Sequence, residues 1–174
     1  VNNNSEDKSE ELLKKYPEIK ILKEKKQGSY AARNKGVKNA KGDIIAFTDS
    51  DCEADKEWIK NILNDFNKKK VDLVAGKVNI ICNKNNLFEK MDKYFYLDQE
   101  ESIKRFNAAA TANLAVRRKV FDKLSFDDKM VSGADFLFTK TAAKKGFGLV
   151  YDPKIRINHP ARADFRLLWL KNKR

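Results

Sequence analysis

Residues 43–52 read DIIAFTDSDC. Four apolar residues, Ile44 to Phe47, run without interruption. A strand with one wet face alternates in polarity, so an unbroken run predicts a strand covered on both sides, as in parallel sheets. Asp49 and Asp51 follow at once. Residues i and i+2 of an extended chain point the same way, with Cα atoms roughly 6.6 Å apart at about 3.3 Å per residue. Open α/β sheets bind ligands at the carboxyl ends of their strands, and the pair stands at such an end. Two carboxylates held there need a positive partner or good donors. A hard divalent cation with oxygen ligands and retained waters meets that need. So does a simple aspartate-rich turn that caps the next helix, aided by Glu53 and Asp55.

Working outward, helical and strand patterns alternate almost throughout. SEDKSEELLKKYP predicts a helix capped by Ser5 or Ser9, and EIKILKE a short strand. QGSYAARNKGVKNAKG predicts a helix capped by Ser29 and stopped by an αL glycine, Gly42. In ADKEWIKNILNDFNKKK, the residues Trp58, Ile59, Ile62, Leu63 and Phe66 make one apolar stripe at helical spacing. VDLVAGKVNII predicts a strand, NNLFEKMDKYFYLDQEESIKRF a helix rich in aromatics, TANLAV a strand and RRKVFDKL a short helix. ADFLFTKTAAKKG predicts a helix closed by Gly146; GLVYDP and IRINHP predict two short strands, and ADFRLLWLKNK a terminal helix. The alternation implies an α/β fold with a mainly parallel sheet and helices on both faces, as a single domain over residues 1–174. The aromatics of the Phe88–Phe106 segment are expected in the core, with contact to an acceptor or a membrane as the alternative.

Composition narrows the function classes. The 174 residues carry 37 basic and 25 acidic side chains, a formal charge of +12, which favours anionic partners. The lysines are scattered and not interleaved with stacking aromatics, so no nucleic-acid groove is expected; a basic nucleic-acid binder stays as a rival whose binding would fall steeply with salt. No stretch approaches the roughly 20 apolar residues of a membrane span, so any attachment to a membrane would be peripheral or lie outside this stretch. Cys52 and Cys82 form neither a metal spacing nor a disulfide framework and read as reduced, buried residues, in keeping with a cytoplasmic location.

One longer pattern goes beyond these local readings. Gly28, Ala32-Arg33-Asn34, Gly36, Ala40, Gly42-Asp43, the apolar IIAF and Asp49-Ser50-Asp51 follow in order and spacing. TANLAVRRKVFDKLSFDD and SGADFLFTKTAAKKGFGLVYDPKIRINHPAR continue it, and VNNNSED opens it. This resembles the family 2 glycosyltransferases, nucleotide-sugar enzymes of the GT-A fold, over essentially the whole chain. The resemblance implies that the family's first strand, first helix and most of its second strand would stand ahead of Val1. It also implies a metal-dependent, inverting transfer from a nucleoside-diphosphate sugar, UDP-linked for preference, to a glycan, lipid-linked or protein acceptor. An inactive truncated relative is the alternative.

By that resemblance Asp51 holds a divalent metal, Mn2+ or Mg2+, and His159 adds a ligand or touches the diphosphate. Asp49 contacts the donor's ribose or sugar. Asn3, Arg33 and Asn34 shape the nucleotide site, Thr111 and Asn113 line the sugar pocket, and Arg162 offsets phosphate charge. Asp135 is the base that takes the acceptor's proton. Two positions depart from the family pattern: Ala134 stands where glutamate is frequent and Leu137 where a second acid is frequent. The implied setting is cytoplasmic, at the inner face of the membrane if the acceptor is lipid-linked.

Overall fold

The computed structural model describes residues 1–68, 70–96 and 98–172, with side chains as far as Trp169. Parts of three predicted helices, at Lys69, Leu97 and Lys173, lie outside the described residues. In chain order the elements are α1 (Ser9–Leu13), α2 (Ser29–Asn39), β1 (Ile44–Thr48), β2 (Glu53–Ala54), α3 (Trp58–Lys68) and β3 (Leu73–Ile81). There follow α4 (Leu87–Phe95), α5 (Gln99–Phe106), β4 (Asn113–Arg117), α6 (Arg118–Phe121), α7 (Ala134–Lys144), β5 (Leu149–Pro160) and α8 (Phe165–Asn172).

The strands form one sheet in the order β1-β4-β3-β5-β2. Its central strands alternate between two cores. Leu73, Ala75, Leu114 and Val116 face a cluster with Tyr30, Phe126, Phe138 and Ala142. Val74, Ala115, Ile155 and Ile157 face the other way, onto Trp58, Ile62 and Phe66 of α3. A strand with both faces buried must be apolar at every position, which is why LVA and LAV read as unbroken runs. The first core is tightened by aromatic contacts, with Phe126 and Phe138 ring centroids 4.5 Å apart and Phe47 meeting Phe126 edge-on at 5.5 Å.

The α/β class and the two helical layers are as expected, but the strand directions differ. β3 and β5 run parallel, whereas β1–β4, β3–β4 and β2–β5 are antiparallel, so the described sheet is mixed. Double-sided burial produces the same apolar run in either direction, so polarity patterning could not distinguish them. GLVYDP and IRINHP are one strand with an irregularity at Gly76/Lys77, where the β3 register jumps from Asp152 to Arg156. EIKILKE contributes only an isolated parallel bridge between Asn2 and Lys23.

Helix ends also differ. α1 begins after Lys8 without a side-chain cap, and α2 has Gly28, at φ 132°, before its first residue Ser29 and ends in an extended Ala40, so Ser5, Ser9, Ser29 and Gly42 do not have their predicted roles. In α3 the apolar residues Trp58, Ile62 and Phe66 are buried, with Asp65, while Ile59 and Leu63 are exposed. The aromatic segment is two helices, and Tyr94, Phe95 and Phe106 are exposed, not in the core.

The interior irregularity is held by polar groups. Asn113 is buried; its amide donates to the Lys77 and Ile155 carbonyls at 2.9 Å each, and its oxygen accepts from the Trp58 indole at 2.9 Å. Gln99 donates to the Asn113 carbonyl at 3.1 Å and accepts from the Ala110 amide at 2.7 Å. Unpaired backbone groups at a bulge would be costly in a dry core, and these side chains satisfy them. The second half of β5 is thereby aimed so that its end, His159, arrives beside the loop after β1.

Candidate active site

Asp49 and Asp51 leave the end of β1 in the loop before β2, and His159 closes β5. The His159 ring is buried, and its Nδ1 lies 2.8 Å from the Pro160 carbonyl. A carbonyl only accepts, so Nδ1 donates to it and Nε2 is the ring atom left to face the loop after β1. That Nε2 faces Asp51 Oδ2 at 3.7 Å. Nε2 and a carboxylate oxygen are both metal-ligand atoms, and a carbonyl bonded to the other ring nitrogen is the usual support of a metal-binding histidine. The Cys52 sulfur joins them: the ligand atoms of Asp51, Cys52 and His159 all lie within 4.8 Å of one another. The donor set therefore fits a divalent cation. The Cys52 thiol is pushed up to about 11, first by burial and then by the charges of Asp49 and Asp51. It remains protonated and a weak ligand at neutral pH.

Asp49 meets a different partner. Arg33, on α2, donates from Nη2 to Asp49 Oδ1 at 2.7 Å, and its guanidinium lies over the Tyr30 ring, 5.4 Å from the centroid. The Tyr30 hydroxyl donates to Asp135 Oδ1 at 3.0 Å. Its pKa is raised, by burial first and then by the negative charge of Asp135, so it keeps its proton and acts as donor. Asp135 stands in the first turn of α7; its Oδ2 also accepts from the Thr111 amide at 3.1 Å and the Thr111 hydroxyl at 3.3 Å. A chain of contacts thus runs from Asp135 through Tyr30 and Arg33 to Asp49.

Two cavities meet at these residues. A groove of about 810 Å³ runs along α2 and β1 and is lined by Ser29, Arg33, Asp49, Asp51, His159 and Arg162, among others. A smaller pocket of about 240 Å³ shares Asp49, His159 and Arg162 and continues to Phe95, Tyr96, Gln99 and Ala112. The Tyr96 ring lies 5.3 Å from that of His159, and its pKa is raised, chiefly by burial and then by Asp49. Arg162 Nη1 pairs with the buried Asp92 of α4 at 3.1 Å, which ties α4 to the rim of the site.

The remaining sequence candidates serve the scaffold. Asn3 donates to the Glu24 and Lys26 carbonyls and accepts from the Gly28 amide, each at 2.8 Å, shaping the turn into α2. Asn34 donates to the Phe126 carbonyl at 2.8 Å and accepts from its amide at 3.1 Å. Asn113 is committed inside the sheet, as described. Their amides are engaged with main chain or core in this structure. Sequence reading missed Tyr30, Asp92 and Tyr96, whose roles depend on partners far along the chain. It also missed Cys52 as a candidate ligand, although its adjacency to Asp51 was in view.

Comparison with known proteins places the chain in a family. Residues 1–125 match the family model described as glycosyl transferase family 2. The glycosyltransferase AglE of Haloferax volcanii is 34% identical over 97% of this chain and 58% of its own length. The minor teichoic acid biosynthesis protein GgaB of Bacillus subtilis is 29% identical over 88% of this chain and 18% of its own. The chain spans little more than half of AglE and less of GgaB. Among solved structures, S. aureus TarS in complex with UDP-GlcNAc superposes with a TM-score of 0.68 at 18% identity, covering 93% of this chain and 48% of that one. GalNAc-T7 with UDP, GalNAc and Mn2+ gives 0.66 at 18% identity over 90% and 35%. These likenesses show a GT-A fold. On the matched sequence and this architecture together, the chain belongs to glycosyl transferase family 2.

Proposed function

We propose that this domain transfers a sugar, with inversion, from a nucleoside-diphosphate donor, UDP-linked for preference, to a glycan, lipid-linked or protein acceptor. The observation that carries this is the placement of Asp51 Oδ2 opposite His159 Nε2 at 3.7 Å, on the wall of the groove beside β1. TarS and GalNAc-T7, whose structures hold UDP-GlcNAc and UDP with Mn2+, share the fold and so support a nucleotide-sugar donor.

Asp51 and His159 would hold a divalent cation, Mn2+ or Mg2+, with Cys52 adjacent. Such an ion, when bound, neutralises charge on a departing diphosphate. Arg33 fixes Asp49 on the floor between groove and pocket, where a donor's ribose and sugar would meet it. Arg162, on both cavity walls, offers positive charge toward the diphosphate. Asp135 takes the proton of the acceptor hydroxyl as its oxygen bonds the anomeric carbon and that carbon's bond to the β-phosphate oxygen breaks. Tyr30 and Thr111 hold the Asp135 carboxylate in a fixed orientation for that step.

The test is release of nucleoside diphosphate from a panel of nucleotide sugars with mixed acceptors. The expected result is turnover with one donor, lowered at least about 100-fold in Asp135→Asn while donor binding persists. Turnover unchanged in that variant would remove Asp135 from the reaction; no donor bound by the unaltered chain would overturn the reading. A second reading, donor binding without transfer, draws on Ala134 and Leu137, which stand where the resemblance places acids; it predicts binding with no turnover for any donor.

A further inference from the structure

Helix α4 is built inside out. Glu89 and Asp92 are each only 1% exposed, while Leu87, Met91, Tyr94 and Phe95 are 68%, 41%, 83% and 71% exposed. The four apolar residues fall at i, i+4, i+7 and i+8, a single stripe on the face opposite the buried acids. Left to the hydrophobic effect alone, the helix would rotate to bury the stripe. It is held in this orientation by two polar anchors. The Glu89 carboxylate accepts from the Asn83, Lys84 and Asn86 amides and closes a capping box with Asn86. Asp92 accepts from the Arg162 amide at 3.0 Å and its guanidinium at 3.1 Å.

The stripe is continued by a second helix. α8 lies against α4 through Phe165 and Phe88, with ring centroids 6.4 Å apart, and it too exposes apolar side chains: Phe165, Leu167 and Trp169. Lys84, Lys90, Lys93 and Arg166, on or next to these two helices, are exposed. Aromatic and aliphatic residues edged by lysine and arginine match the layered chemistry of an anionic bilayer, with acyl boundary beneath and acidic headgroups above. The charge of +12 adds long-range attraction to an acidic surface.

We propose that the α4–α8 face docks this domain peripherally on an anionic lipid surface. Phe95 belongs both to the stripe and to the pocket it shares with Asp49, His159 and Arg162. Docking there brings the mouth of that pocket to the bilayer. If the transferase reading holds, on which this consequence alone rests, the acceptor is lipid-linked.

The experiment is flotation of the chain with vesicles of phosphatidylcholine alone and of phosphatidylcholine with about one third phosphatidylglycerol. Emission of Trp169 is followed in parallel, since Trp58 is already buried. The expected result is binding to the anionic vesicles with a blue shift of Trp169. Binding should weaken at least about tenfold in Leu87→Ser/Tyr94→Ser and in Lys90→Glu/Lys93→Glu, with melting and UDP binding unchanged. Undiminished binding by Leu87→Ser/Tyr94→Ser would show attraction spread over the whole basic surface and would overturn the proposal. So would absence of binding to either vesicle, or sedimentation showing self-association that the same substitutions abolish. Asp51→Asn should float like the unaltered chain, so failure of the transferase reading and failure of the docking surface are told apart.

Discussion

At the scale of single residues, the site is a problem in where protons sit. The Pro160 carbonyl keeps a proton on His159 Nδ1 and so turns Nε2 toward Asp51. Cys52, beside them, has its thiol raised from 9.0 to about 11, by burial before the two aspartates. In the metal-free protein its alkylation by iodoacetamide should therefore be slow at pH 8 and keep climbing until about pH 11. Asp51→Asn should speed it at any pH below that by removing one negative neighbour; a rate that levels off by pH 9 would contradict the assignment. The sign for stability follows. The unfolded thiol ionises first, so this group's contribution is complete below pH 9.0 and declines as pH rises toward 11. The paired aspartates were legible in the sequence because they are neighbours on one strand end. The link from Cys52 to His159 was not, since the two are brought together only by the course of β5.

At the scale of elements, orientation depends on buried polar groups more than on hydrophobic periodicity. Gly76 sits where β3 and β5 change register; a Cβ there would lie 2.1 Å from the Ile155 carbonyl oxygen and 2.4 Å from Asn113 Nδ2. Neither neighbour can retreat, because both belong to the Asn113 network. Gly76→Ala should cost roughly 3 kcal/mol or more, lowering the melting temperature by about 6–12 °C. A melting curve within a degree or two of the original would refute the account of the bulge. The sequence gives VDLVAGKVNII as a strand but carries no sign that its glycine is needed for a buried asparagine many residues away. Helix α4 shows the same limit. Its periodicity was visible, yet the stripe points outward because Glu89 and Asp92 fix its other face. Burial works against the Glu89 carboxylate, but amides of Lys84, Asn83, Asn86 and Asn85 outweigh it and hold the pKa below the usual glutamate range. Its stabilisation is present above that range and lost as pH falls below it. Glu89→Gln should flatten the acid limb of the melting temperature against pH; an unchanged limb would show that Glu89 does not anchor α4.

At the scale of the whole molecule, two helical layers about one mixed sheet bring β1, β5, α2 and α7 to a common edge, and there the acids, the histidine and the arginines meet. The layered class was legible from alternating elements and unbroken apolar runs. Strand direction was not, because burial on both faces leaves the same pattern either way. No described helix is long and apolar enough to cross a membrane; the peripheral docking proposed above rests on the outward stripe of α4. The central claim is that Asp51 and His159 form the cation site on which donor binding depends. Calorimetric titration of UDP, with Mn2+ and with chelator, tests it most directly. The account predicts binding in Mn2+ that chelator removes and that Asp51→Asn weakens by at least about 100-fold without lowering the melting temperature. UDP binding of equal strength in chelator, or in Asp51→Asn with Mn2+, would contradict it.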